Sequence, residues 1–357
     1  MMLTNFPMNI SPLKSLVFRK ILRRNFAYQE FCDRKWTIVP GETCTSPPAI
    51  YFEDDLARVA TIDVGATTYE YELSRAKGGR QEHGATLGYV LRNIELIDGV
   101  LYRGAMQHRL VRLPRRLTGP GVRDIVDSGA LACTQCGGIY FGHWMSDDLS
   151  LYLAAEAHGT PIVVERKSYF HEPAYCGLMN ILPHHKSRTR FNQLIVLDDV
   201  GQNSFKRKRY RELRTRLSKS FGSTRNRYVY IRRGVVRGSA GRSLTNSEQL
   251  EEFLKGQGFV IVDPDHQSAK EITESIGGAR LIVGVEGSHM AHALYSIGDG
   301  GGICMLQPPN HFINVFKDYT DCLDLRYGFT TGVEAPGGFT VKVEHLERIL
   351  EKMDQVC

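Results

Sequence analysis

The chain reads as an α/β protein, on three observations. From Tyr228 onward, strand-length apolar runs alternate strictly with helical patterns. Those runs are continuously apolar, as strands covered on both faces are. The run at Ile282-Val-Gly-Val-Glu-Gly-Ser-His-Met-Ala-His-Ala-Leu-Tyr295 breaks at glycines, exposes a Ser-His pair and resumes with helical spacing, the signature of strand, tight turn and helix start. Such alternation implies a parallel, Rossmann-like sheet with right-handed crossovers, which puts the loops after Ile231, Val262, Val285 and Leu306 on one rim.

The elements follow in order. Residues 13–24 place Leu13, Leu16, Val17 and Ile21 on one face of a basic amphipathic helix, able to dock on its own domain or to make peripheral contact with an anionic membrane surface. From Ala49 to Arg112 the pattern is of short β-type pieces, including Tyr69–Leu73 and Gly88–Leu96, with Asp98-Gly99 as a hairpin signal, so the N-terminal portion is expected to be β-rich. After Pro120 it becomes α/β, with Gly137–Gly142 as a buried strand, Asp147–His158 as a helix, and Pro161–Val164 and Leu194–Leu197 as strands. Residues 204–219 form a strongly basic helix with Phe205, Tyr210, Leu213 and Leu217 inward; its aromatic residues are sparse and no motif accompanies it, so the charge reads as a solvated face and nucleic acid is not expected as a partner.

The C-terminal half predicts strands Tyr228–Ile231, Phe259–Val262, Leu281–Val285 and Gly302–Leu306, with helices Ser247–Lys255, Ser268–Ile276 and Met290–Ile297 between them. Thr245-Asn-Ser-Glu248 has the form of a capping box, and Gly256 and Gly258 stop that helix. The expected division is an N-terminal domain over 1–220, a Rossmann-like domain over 221–345 and a helical tail over 346–357.

Composition narrows the function classes. A chain of 357 residues with net charge +6 favours acidic ligands without demanding nucleic acid. No window approaches about 18 consecutive apolar residues, and the N-terminus lacks a signal-type apolar core, which points to the cytoplasm. Eight scattered cysteines fit reduced thiols. Cys133-Thr-Gln-Cys136 has only His143 nearby and no second ligand pair, so no metal site is expected.

The four rim loops hold Arg232-Arg233-Gly234, Asp263-Pro264-Asp265, Glu286-Gly287-Ser288-His289 and Gln307-Pro308-Pro309. Arginines beside a helix N-terminus suit a diphosphate, because guanidinium forks onto phosphate oxygens and keeps its charge, stabilising a nucleotide leaving group without metal. Arg242 is a candidate third cation. No P-loop and no G-x-G-x-x-G follows a strand, against an ATPase of that type and a dinucleotide dehydrogenase. A second constellation, Gly142-His143-Trp144-Met145-Ser146-Asp147-Asp148, offers a carboxylate at a helix start; Asp147 and His143 are candidates for general-base chemistry, Trp144 is a candidate sugar platform, and Asp148 is assigned to the cap.

These segments carry a resemblance. Gly142-His-Trp-Met-Ser-Asp147, Tyr230-Ile-Arg-Arg-Gly234, Arg242-Ser-Leu-Thr-Asn246, Gly258-Phe-Val-Ile-Val262 and Gly284-Val-Glu-Gly-Ser-His-Met-Ala291 together resemble glycosyltransferase family 61, in its bacterial branch of capsular polysaccharide biosynthesis-type proteins. The resemblance implies a GT-B-type architecture of two facing Rossmann-like domains, the first on the acceptor side and the second binding the nucleotide sugar. It further implies inverting, metal-independent transfer of a sugar to an acceptor hydroxyl, here of a glycan or lipid-linked glycan, with no cofactor; the inner face of the membrane is expected only from the basic helix at residues 13–24. Asp147 carries over as the base facing an interdomain cleft; Arg232, Arg242, Ser288 and His289 carry over as donor contacts, and Arg233 and Gly287 flank them. The chain departs from the family where many relatives read Gly-Ala-His-Leu for Gly287-Ser-His-Met290, and where a Glu often precedes the proline at Gln307-Pro308, leaving Gln307 as the substitute partner for the nucleoside. On this reading Asp147→Asn lowers turnover and Arg232→Ala weakens diphosphate binding. A non-catalytic glycan- or nucleotide-binding module on the same scaffold is the competing class; phosphoryl transfer would need Asp263 and Asp265 to hold a metal.

Overall fold

The alternating half forms one five-stranded sheet with every strand parallel, in the spatial order Val260–Val262, Tyr228–Ile231, Leu281–Val285, Gly302–Gln307, Arg326–Thr331. A computed structural model shows this and describes residues 8–112, 117–222, 227–234 and 242–357. All five residues of Leu281–Val285 and all six of Gly302–Gln307 are buried, as their unbroken apolar runs require. The fifth strand, Arg326–Thr331, is missing from the sequence reading because its glycine and two threonines interrupt the apolar run, although Phe329 is fully buried in it. Tyr230, Val283 and Leu306 pack with Leu250 and Leu254 of helix Ser247–Gly256 and with Leu346, Ile349 and Met353 of helix Val343–Asp354.

The chain divides into two compact units: residues up to 41 with 84–201, and residues 42–83 with 202–357. Within the second, the excursion 42–83 is tied to the sheet by buried polar contacts. Ile50 bridges Gly328, Asp55 accepts from the Thr330 hydroxyl at 2.7 Å and the Thr331 N–H at 3.1 Å, and Lys317 Nζ donates to Ser46 Oγ at 2.6 Å. Tyr69–Leu73 is not a strand: Tyr69–Lys77 is a helix, whose first turn is capped by the Thr68 hydroxyl accepting from Tyr71 N–H. Its apparent period-2 alternation comes from Tyr-Glu repeats, whereas burial falls on Glu72 and Ala76, four residues apart. The basic helix Ser204–Ser218 belongs to this unit and buries Tyr210, Leu213 and Leu217 as expected; Lys206 and Arg209 are also buried and Phe205 only partly.

The first unit holds a mixed sheet of eight strands. Met106–Arg109, Val100–Arg103, Thr86–Ile97 and Arg188–Asp198 run antiparallel to their neighbours, Arg34–Val39 pairs with Thr86–Ile97, and Asp124–Leu131, Pro161–Val164 and His184–Lys186 continue from Arg188–Asp198 in parallel. The β-rich start is therefore present, and the Rossmann-like character is confined to the parallel edge. Asp98 and Gly99 both take positive φ, 45° and 80°, the geometry of a tight two-residue hairpin turn.

Three other local readings are corrected. Gly137–Gly142 is not a strand: Thr134 caps the helix Gln135–Ile139 by accepting from Gly137 N–H, Tyr140 alone is extended, and a short helical turn Phe141–His143 follows. The glycines there reflect close approach, since a Cβ on Gly137 would lie 2.1 Å from the Asp148 carboxylate. The Thr245–Glu248 capping box does not form, because Thr245 Oγ1 donates to Phe339 O and Asn246 exchanges hydrogen bonds with Val341; the reciprocal box is Ser268 with Glu271 instead. Met290–Ile297 is not an α-helix: Ser288–Ala293 is a 3₁₀ helix, buried from Met290 onward, so its side chains follow packing on every face. None of the described helices is long and apolar enough to cross a membrane.

Candidate functional site

The C-terminal rim of the parallel sheet gathers a compact charged cluster within the second unit. Leu281–Val285 ends in Glu286, and Gly287 then takes φ 150°, a backbone conformation that side-chain-bearing residues rarely adopt. The turn is crowded: a Cβ at Gly287 would meet the Arg233 guanidinium and the His289 ring, each at 3.2 Å. Arg233 donates to the Glu286 carbonyl. Arg242 reaches the same place from the other side, donating to His311 Nε2 at 3.0 Å and lying 3.9 Å from the Glu286 carboxylate. His311 is also 3.9 Å from Glu286 and 3.9 Å from Asp63. Asp63 is brought in by the excursion 42–83, where Ala60 and Thr61 N–H donate to Pro309 O and Ile62 bridges Phe312.

The electrostatics follow from burial. Glu286 is only 6% exposed, and its Oε2 has no hydrogen-bond partner among the described residues. Desolvation pushes its pKa up to about 7, against the opposing pull of Arg233 and Arg242. Burial, with the Arg233 charge added, pushes His289 down to about 3 and keeps it neutral; His311 is lowered by burial and by Arg242. Arg233 is lowered by burial but, as a guanidinium, stays charged. Among the described residues, the cluster thus sets Arg233 and Arg242 beside the buried Glu286 carboxylate, which is poised between its charged and neutral forms, with Asp63 beyond His311.

The predicted rim residues separate into two groups. Arg233, Arg242, Gly287, Ser288 and His289 converge here. Arg232 points to a different set: its guanidinium donates to both Glu251 oxygens at 2.8 and 2.5 Å and to Asp263 at 2.6 Å. Hydrogen bonds from Arg232 and His266 hold Asp263 below the usual carboxylate range despite its partial burial, and Asp265 N–H donates back to Asp263, so this acidic pair serves the loop itself. Gln307 is fully buried, with Nε2 donating to Ile313 O at 2.7 Å and to Asn314 and Tyr327 at 3.3 Å. The expected α-helical N-terminus at Gly287 is replaced by the six-residue 3₁₀ turn, which leaves the arginine side chains as the main source of positive potential. Glu286 is a site residue without an expected role, and the signal that marks it is a lone acid inside an apolar run, next to a glycine turn. His311 and Asp63 are unsignalled, because only folding of the 42–83 excursion brings them to the rim.

A cleft of about 990 Å³ opens at the amino ends of the same strands, and its arginines are already matched to acids: Arg211 with Asp324, Arg214 with Asp299, Arg280 with Asp354. Ligands of open parallel sheets bind at the carboxyl ends of the strands, so the rim cluster is the candidate.

In the first unit, His143 and Asp147 form the second constellation. The helix there runs from Phe141, so Asp147 lies inside it and not at its start; the local geometry is a π turn over Trp144–Asp148, closed by Leu149 N–H donating to Trp144 O. His143 Nδ1 and Asp147 Oδ2 are 2.8 Å apart, both side chains partly exposed, and Ser146 Oγ donates to Asp147 at 3.4 Å. Asp148 is buried and accepts from Thr134 N–H at 3.0 Å and Oγ1 at 2.7 Å, a brace for the preceding helix cap; burial keeps its pKa well above the usual range. Trp144 is 5% exposed and stacked on Phe141 at 5.8 Å, so its ring is covered by the protein, whereas Tyr140 beside His143 is exposed.

Residues 141–304 match the model of the family described as Glycosyltransferase 61, just under half of the chain. The match takes in His143 and Asp147, Arg232, Arg233 and Arg242, and the Glu286–His289 turn, and ends inside Gly302–Gln307. It supports glycosyltransferase activity and, in general terms, a nucleotide-sugar donor and a glycan acceptor. No curated protein matches the chain.

Proposed function

We propose that the chain is an inverting, metal-independent glycosyltransferase that moves a hexosyl or pentosyl group from a nucleotide sugar to a hydroxyl of a glycan or related acceptor in bacterial surface polysaccharide synthesis. The observation that carries this is the pair Arg233 and Arg242 around Glu286 on the carboxyl rim of a parallel sheet, inside the family match. The GT-B-type plan belongs to the same reading. Two guanidinium groups neutralise the diphosphate as the bond from the anomeric carbon to the β-phosphate oxygen breaks, a task that elsewhere falls to a divalent ion. Glu286 is a positioning residue, its buried carboxylate and carbonyl setting where the two guanidinium groups stand. In this reading Ser288 and the turn backbone donate to the phosphates.

His143 and Asp147 act as one unit. The carboxylate holds the imidazole with its Nδ1 proton toward Asp147 and stabilises the imidazolium that forms, as in other Asp-His couples. The acceptor hydroxyl gives up its proton to this couple, its oxygen attacks the anomeric carbon from the face opposite the diphosphate, and configuration inverts. Tyr140 takes the platform role that a covered Trp144 does not offer.

Incubation of the purified protein with a panel of nucleotide sugars and glycan acceptors, read as release of nucleoside diphosphate together with glycosylated product, tests the proposal. Donor binding without turnover would instead favour a non-catalytic module.

A further inference from the structure

The helix Ser11–Leu22 docks the wrong way round for a segment that merely completes a core. It starts at Pro12 in its first turn and ends at Arg23 in the left-handed conformation. The face toward its own unit is narrow and mixed: Pro12 and Ser15 are buried, Leu16 is half-buried, Ser15 donates to Ala105 O at 3.1 Å, and Ser11 Oγ donates to Glu95 at 2.7 Å. The apolar face looks outward. Leu13, Val17 and Ile21, spaced by four residues, form a continuous seam whose last member is 69% exposed, and Phe18 and Leu22 extend it on one side. At 100° per residue Lys20 borders that seam on one side and Lys14 lies between it and Phe18 on the other, both exposed. The helix itself carries no acidic residue, the first in the chain being Glu30, which pairs with Arg24 at 2.7 Å.

An apolar seam bordered by lysines complements one surface in particular, a bilayer whose headgroups are anionic. The seam suits the boundary between headgroups and acyl chains, and lysines snorkel to lipid phosphates. A second copy of the chain would bring the same cations against each other. We infer that Ser11–Leu22 seats the protein peripherally on an anionic membrane surface. The inference is independent of the transferase reading, though it fits an acceptor carried on lipid.

The test is co-sedimentation of the full chain with phosphatidylcholine vesicles, with and without phosphatidylglycerol. Binding is expected to the anionic vesicles, weakening with salt. A Lys14→Gln/Lys20→Gln variant should bind about 30-fold more weakly, at roughly fivefold for each lysine near an anionic surface. Ile21→Asp should abolish binding while thermal melting stays that of the wild type, since the side chain it replaces faces solvent. No binding by the wild type, equal binding to both vesicle types, or an unchanged lysine variant would overturn the inference. So would sedimentation equilibrium showing a dimer that Ile21→Asp dissociates.

Discussion

Glu286 makes donor binding depend on pH in a direction and amount that the rim fixes. Its folded pKa is raised by burial to about 7, so near neutrality the site is divided between a charged and a neutral form. Arg242 stands 3.9 Å from the carboxylate. A phosphate seated on the far side of that guanidinium is roughly 7 Å from Glu286, and at an effective dielectric constant of about 20 this nearer phosphate charge repels the carboxylate by about 2.4 kcal/mol. Repulsion favours the protonated form, lifting Glu286 in the complex to roughly 8.7. The sign follows: the bound state holds more protons, so affinity rises as pH falls, and between about pH 8 and about pH 6 binding tightens roughly eightfold. His289, held to about 3, does not titrate in that window, and His311 is lowered in the same direction. Calorimetric titration with a nucleotide sugar, whose phosphates keep their charge throughout, measures the effect in the wild type and in Glu286→Gln. The variant should lose the pH dependence. A flat wild-type profile, a profile of the opposite sign, or the same slope in Glu286→Gln would refute the reasoning.

The remaining predictions concern named side chains. Asp147→Asn should lower turnover by about 10²–10⁴-fold with donor affinity nearly unchanged, read by steady-state kinetics beside calorimetry. Arg242→Ala should weaken diphosphate binding by roughly 1.5–3 kcal/mol. Arg232→Ala, whose partners are Glu251 and Asp263, should leave that binding within about twofold while lowering thermal stability by about 1 kcal/mol, because the guanidinium is partly solvent-screened. Gly137→Ala should destabilise by more than about 2 kcal/mol in denaturant titration, since the added methyl meets the fixed Asp148 carboxylate.

The parallel sheet was legible because its signals are local. Uninterrupted apolar strands and the stop at Gly258 survive folding unchanged, so four of five strands and their common rim follow from the sequence, and with them Arg233, Gly287 and His289. What fails does so for reasons of packing. The Tyr-Glu alternation of Tyr69–Leu73 imitates a strand until Thr68 caps it, and Gly137-Gly138 resembles a buried strand when its glycines serve close contact with Asp148 and Leu110. Arg232 and Arg233 are adjacent in sequence and indistinguishable there; only the positions of Glu251 and Asp263 turn one away from the rim. Asp63 and His311 lie about 250 residues apart in the chain, and no pattern links them before the excursion 42–83 folds onto the loop at Pro309.

The most direct test is the structure of the protein crystallised with a nucleotide sugar. The account predicts the diphosphate within hydrogen-bond distance of Arg233 and Arg242, against the turn Gly287-Ser288. A diphosphate bound instead in the cleft lined by Arg211, Arg214 and Arg280, with the rim cluster unchanged, would contradict it.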